Sequence, residues 1–194
     1  MKSKFNISAG AILMLSALYF FGGLKSIVAV LLAAAVHETG HILAIKAFDG
    51  TIRAIRFDAS GLCMSYCGLD STFKELVSLL AGPVFGLAYA YVASYFGNRF
   101  GSDLLLQSAG VSLIFSLFNL LPALPLDGGR ALYCLIPGRV KAEKALDTSG
   151  MLTGLCLIAI GLYYLGNEKG AALLFAGVWV LIAQTGIVKN FRML

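Results

Sequence analysis

Long apolar stretches separated by short polar breaks dominate the chain, and this pattern predicts helices that cross a membrane. A hydrocarbon layer about 30 Å thick needs about 20 mostly apolar residues per helix. Six stretches meet or approach that length, at 7–24, 26–48, 73–96, 102–121, 149–166 and 170–188. Short turns join the first to the second, the third to the fourth and the fifth to the sixth, so these pairs read as helical hairpins. Two longer connections remain, 49–72 and 122–148. In the first of them the period changes. Thr51-Ile52-Arg53-Ala54-Ile55-Arg56-Phe57-Asp58, a Ser60-Gly61 turn and Leu62-Cys63-Met64-Ser65-Tyr66-Cys67 predict a short amphipathic β-hairpin. Such a ribbon either rests at the membrane surface with Arg53 and Arg56 at lipid headgroups, or offers its strand edge at 52–57 to an extended peptide. The expected architecture is an all-α polytopic membrane protein with six transmembrane helices, a cytoplasmic β-hairpin after the second span and a proline-broken fourth helix. It forms one domain over residues 1–194.

Composition excludes the soluble alternatives. Of 194 residues, 59% are hydrophobic and 13% charged, and the mean hydropathy is +0.85; an ordinary soluble domain carries roughly 25% charged residues. The net charge of +5 does not point to nucleic acid, because the basic residues sort by membrane side. With a cytoplasmic N-terminus, Lys2, Lys4, Lys46, Arg53, Arg56, Lys74, Arg130, Arg139, Lys141, Lys144, Lys189 and Arg192 share one side, and only Lys25, Arg99 and Lys169 fall on the other. The excess of cytoplasmic Lys and Arg in membrane proteins therefore predicts both termini inside. Four cysteines form no disulfide framework, and Cys63 and Cys67 read as reduced thiols. Gly154, Gly161 and Gly177 read as close helix packing.

The second span contains His37-Glu38-Thr39-Gly40-His41, and the chain has no other histidine. Residues i and i+4 share a helix face, so two imidazoles can grip one metal ion while the Glu at i+1 reaches its water. This is the arrangement of a zinc hydrolase, in which the metal polarises the scissile carbonyl and Glu38 carries the proton to the leaving amine. An acidic residue at the centre of a span costs about 2.5–3.5 kcal/mol on insertion scales, and the surrounding segment 27–45 is otherwise almost wholly apolar. The competing reading is a metal-free polar knot of His37, Glu38 and His41.

A catalytic zinc site needs a third protein ligand and an open position. Among the carboxylates, Asp49 and Asp58 lie in or near the hairpin and Glu75 opens the third span. Asp103 is on the far side, and Glu143, Asp147 and Glu168 sit in charged, solvated contexts. Asp127 stands apart in Asn119-Leu120-Leu121-Pro122-Ala123-Leu124-Pro125-Leu126-Asp127-Gly128-Gly129-Arg130. Two prolines break the fourth helix here, and non-helical backbone at membrane depth implies a protein-lined or wet cavity. Gly128 and Gly129 allow a close backbone approach to the metal or a sharp turn. Taken alone, the segment reads equally as an exit turn with a solvated Asp. His37 and His41 precede Phe48 by 11 and 7 residues, about 10–16 Å of helix, a depth that a re-entrant segment could reach.

The pair of motifs, HETGH and Asn119-Leu-Leu-Pro-x-Leu-Pro-Leu-Asp127-Gly-Gly, resembles the site-2 protease family of intramembrane zinc metalloproteases. Its closest likeness is to the branch that processes the precursor of the sporulation factor sigma-K. The resemblance covers about residues 26–130, with Leu80-Ala81-Gly82-Pro83 a weaker match. It implies that His37, His41 and Asp127 bind Zn2+, that Glu38 is the general base and that Asn119 contacts substrate. It further implies a catalytic core of the second to fourth spans, a membrane-tethered protein substrate and membrane-protein regulators. Cleavage in or beside a transmembrane segment would release a cytoplasmic regulator such as a sigma factor precursor, and the expected location is a bacterial cell membrane. Phe85 and Gly86 stand where many relatives have an Asn, and neither a PDZ nor a CBS domain is expected. The competing class is a metal-ion transporter or channel, which six spans, a broken helix and embedded His, Glu and Asp also describe. That class requires ligands that change access between two sides, whereas the candidates here lie toward one face.

Overall fold

Helices form where the apolar stretches predict them, with three differences that matter for the site. The computed structural model describes residues 4–7, 9–58, 61–164 and 169–191, so Ser60 of the expected turn and Glu168 lie outside the described residues. In chain order the elements are β1 (Lys4–Ile7), α1 (Ala9–Ala47), β2 (Thr51–Asp58), β3 (Gly61–Cys67), α2 (Thr72–Phe100), α3 (Asp103–Asn119), α4 (Asp127–Leu135), α5 (Arg139–Tyr163) and α6 (Lys169–Phe191). Among the described residues, three helices are long and apolar enough to cross a membrane: Gly22–Ala47, Thr72–Phe100 and Val140–Tyr163. Asp103–Asn119 and Leu173–Ala183 are shorter apolar helices. Burial is inverted relative to a water-soluble globule. Ser78, Ser108, Ser112, Ser116, His37, His41 and Asp127 are buried, while Tyr91, Ile114 and Phe175 are exposed. Polar groups turned inward and apolar ones outward suit a bundle whose solvent is lipid.

The chain divides into two compact units, Met1–Leu117 and Phe118–Leu194. In the first, the expected first and second spans form α1, divided at Gly23, whose φ of 69° and ψ of −174° are non-helical. Only glycine adopts that backbone without strain. Helix α1 ends with Asp49 in the left-handed region and the Gly50 N–H donating to the Ile45 carbonyl at 2.8 Å. The β-hairpin is present, with β2 and β3 antiparallel from Thr51↔Cys67 to Asp58↔Gly61 and a register shift between Ile52 and Ala54. Its context differs from expectation. Strand β1 pairs in parallel with β2 from Lys4↔Ala54 to Ile7↔Phe57, giving the order β1-β2-β3. The β2 edge that was expected to receive an extended peptide is thus already paired over Ala54–Phe57. Ser71 caps α2 by accepting from the Lys74 N–H at 3.2 Å, and Gly101 ends it in the left-handed conformation.

In the second unit the long loop expected at 122–148 holds helix instead. It contains α4 and the first turns of α5, which starts at Arg139 rather than near residue 149. Ala142 and Leu146, one turn apart, are both 1% exposed, so this charged segment carries the buried i, i+4 pair of an amphipathic helix. Helices α5 and α6 pack through glycines, and a Cβ at Gly177 would come within 2.8 Å of the Gly154 carbonyl oxygen. A core of Ala123, Leu126 and Val180, with Phe118, Leu121, Leu157 and Trp179 packed on it, ties the proline loop to α6.

Candidate metal centre

The helical spacing of His37 and His41 aims both rings at one point. Their Nε2 atoms are 3.1 Å apart, with ring centroids at 4.9 Å and planes at 74°. Both residues are buried, at 2% and 9% exposure. Two imidazoles bound to one zinc at about 2.0–2.1 Å in tetrahedral geometry place their nitrogens about 3.3 Å apart, close to the observed separation. The tautomer agrees as well. His41 Nδ1 lies 2.7 Å from the backbone carbonyl oxygen of Ser78. A carbonyl only accepts, so Nδ1 carries a proton, and in the neutral ring that leaves Nε2 as the bare donor to a metal. A second hydrogen bond of this kind orients a metal-ligating histidine and raises its basicity. The donor chemistry therefore fits zinc.

Helix α2 builds the floor of this pair. A Cβ at Gly40 would lie 2.5 Å from the Ala81 carbonyl oxygen, so the glycine inside HETGH lets α1 approach α2. A Cβ at Gly82 would overlap the His41 ring at Nε2, so the absence of a side chain there makes room for the imidazole. Pro83 follows, buried inside α2. It lacks an N–H and crowds the carbonyl four residues earlier, loosening the ladder in the turn that receives His41. Phe115 closes another side, its ring edge-on to His37 at a centroid distance of 4.8 Å. Glu38 is half-buried beside the pair in sequence, and Thr39 returns its hydroxyl to the Ala35 carbonyl at 2.7 Å rather than to the centre.

Asp127 and Asn119 belong to the second unit. Asn119 is the last residue of α3 and is half-buried. The prolines end α3 as expected, and the loop that follows is held by Ala123 N–H to Leu121 carbonyl at 2.8 Å and Leu126 N–H to Ala123 carbonyl at 3.0 Å. Asp127 is the first residue of α4 and only 8% exposed, which removes the reading of a solvated exit-turn carboxylate. A carboxylate in a first helical turn faces the positive end of the helix dipole. Of the two expected uses of Gly128 and Gly129, a sharp turn or a close approach to a metal, the packing around them fits the turn. Cβ atoms there would collide with the backbone of Leu120, Leu121 and Ala123, so the glycines let α4 start against its own loop and fix where Asp127 emerges. The structure thus joins His37 and His41 within one unit and buries Asp127 in the other. The Ser78 carbonyl and Phe115 had no sign in the sequence, and Gly82 was marked there only within the weaker match at 80–83.

No family model matches the chain. It is 30% identical over 138 residues to the zinc metalloprotease MJ0392 of Methanocaldococcus jannaschii, covering 66% of this chain and 40% of that protein. Over 172 residues it is 30% identical to Rip3 of Mycobacterium tuberculosis, a protein named as a zinc metalloprotease, covering 82% of this chain and 42% of that one. The chain thus spans about two fifths of the length of these relatives. In fold it matches the site-2 protease from Methanocaldococcus jannaschii with a TM-score of 0.73, covering 96% of this chain and 92% of that one at 20% identity.

Proposed function

We propose that this chain, which belongs with the zinc metalloproteases in sequence and with a site-2 protease in fold, is an intramembrane zinc metalloprotease. It hydrolyses a peptide bond in or beside a transmembrane segment of a membrane-tethered protein. The observation that carries this reading is the converging imidazole pair, with the His41 tautomer set by the Ser78 carbonyl. His37, His41 and Asp127 would together hold the ion. When bound, zinc supplies Lewis-acid polarisation of a carbonyl and a water acidic enough to act near neutral pH. Glu38 takes the proton of the attacking water and delivers it to the leaving amine. Asn119 donates to the backbone of the substrate. A helical substrate hides its carbonyls, so it must unwind before cleavage. The sorting of Lys and Arg supports the finer reading that both termini are cytoplasmic, and the two motifs support a product that is a released cytoplasmic regulator of the sigma-factor kind.

The test is metal analysis of protein purified from membranes, paired with cleavage of a reporter that carries a transmembrane segment. Wild type should hold one zinc per chain and cleave; Glu38→Gln should keep zinc and lose cleavage; Asp127→Ala should lose most zinc. Equal zinc in wild type and Asp127→Ala removes Asp127 from the site, and a zinc-free active wild type overturns the mechanism.

A further inference from the structure

We infer that the Ser116 hydroxyl is a substrate contact, donating to or accepting from the backbone of the peptide opened for cleavage; this rests on the protease reading above. Helix α3 places Ser108, Ser112 and Ser116 at successive turns of one face, all 0% exposed. Two of the three are committed to the fold. Ser108 pairs with the Tyr89 hydroxyl at 2.9 Å and donates to the Leu105 carbonyl at 3.0 Å. Ser112 donates to the Gly86 carbonyl at 2.9 Å. Ser116 Oγ has no hydrogen-bond partner among the described residues, and buried hydroxyls are normally paired. The other such hydroxyl among the described residues, that of Ser78, belongs to the residue whose backbone carbonyl accepts from His41.

The position of Ser116 is what makes the exception informative. Its predecessor, Phe115, packs against the His37 ring. Its own Oγ lies against Gly86 of α2, where an added Cβ would collide with it. Gly86 is one helical turn beyond Gly82, the residue beneath His41 Nε2, a step of about 5–6 Å. The hydroxyl therefore lies within about one turn of the imidazole pair, packed against α2 where Gly86 carries no side chain. A peptide unwound at membrane depth exposes carbonyl and N–H groups that must be paired by protein or trapped water. A neutral hydroxyl, able both to donate and to accept, meets that need without competing for the metal.

The experiment uses the full chain in detergent micelles and two probes: a dansylated tri-leucine hydroxamate, which carries a peptide backbone, and acetohydroxamate, which carries only the metal-binding head. Ser116→Ala should bind the tri-leucine probe about 5- to 10-fold more weakly, the size of one neutral hydrogen bond. Its zinc content, acetohydroxamate affinity and thermal midpoint should match wild type. Ser112→Ala should show the converse, a lower midpoint with unchanged tri-leucine affinity. Unchanged tri-leucine binding by Ser116→Ala overturns the inference, and equal weakening of both probes does so too, by moving Ser116 into the metal site. Wild type that holds no zinc and binds neither probe overturns the protease reading itself, a result distinguishable from either.

Discussion

Glycine brings helices close at two places in this molecule, and the two interfaces hold different things. Between α5 and α6, Gly177 faces the Gly154 carbonyl and Gly154 faces Leu181, so the space is filled by backbone and an aliphatic chain. Between α1 and α2, Gly40 faces the Ala81 carbonyl and Gly82 faces the ring of His41. The packing device is the same; the second interface spends the vacated volume on an imidazole whose proton is fixed by a backbone carbonyl. Close glycine packing by itself therefore says nothing about chemistry. Function enters where the small residue yields to a titratable side chain with a defined tautomer.

The most severe test of this contrast is Gly82→Ala. The added methyl occupies the place of the His41 ring, so zinc affinity should fall by at least about 100-fold, the upper range for loss of a supporting contact; competition with a fluorescent chelator measures it. Gly128→Ala should act through the other unit, displacing the first turn of α4 from its loop and lowering zinc affinity about 10- to 100-fold. Gly177→Ala should separate the two interfaces. Overpacking there should cost about 1–3 kcal/mol of stability, seen as a lower thermal midpoint, with zinc stoichiometry intact. Loss of zinc from Gly177→Ala breaks the contrast. The smallest effect is expected from Tyr89→Phe, which removes the hydroxyl bonded to Ser108 and should cost about 1 kcal/mol with metal content unchanged.

What could be read from the chain differs along the same line. The histidine pair was legible because i, i+4 spacing on a helix is a local rule, and so was the end of α3 at Asn119, because prolines act on their own turn. The hairpin was legible from its alternation and turn residues. Strand β1 was not, because Lys4-Phe5-Asn6-Ile7 alternates over only four residues and its pairing with β2 is long-range. The start of α5 was hidden by charge: Arg139 to Lys144 reads as loop until Ala142 and Leu146 are seen to be buried. The role of Gly82 beneath His41 and that of the Ser78 carbonyl were silent for a related reason, since both depend on the register of α2 against α1. A carbonyl has no sequence signature, and a glycine before proline reads first as a helix irregularity. Gly128 and Gly129 were visible as close-approach residues, but what they approach is set by the fold of their own loop.

The most direct measurement is X-ray absorption at the zinc edge of the Glu38→Gln protein, in which catalysis is stopped and the ligands are intact. The expected spectrum shows a nitrogen and oxygen shell at about 2.0–2.1 Å with the outer scattering of two imidazoles, one of which disappears in His37→Ala. A sulfur shell near 2.3 Å, or a spectrum indifferent to His37→Ala, would contradict it.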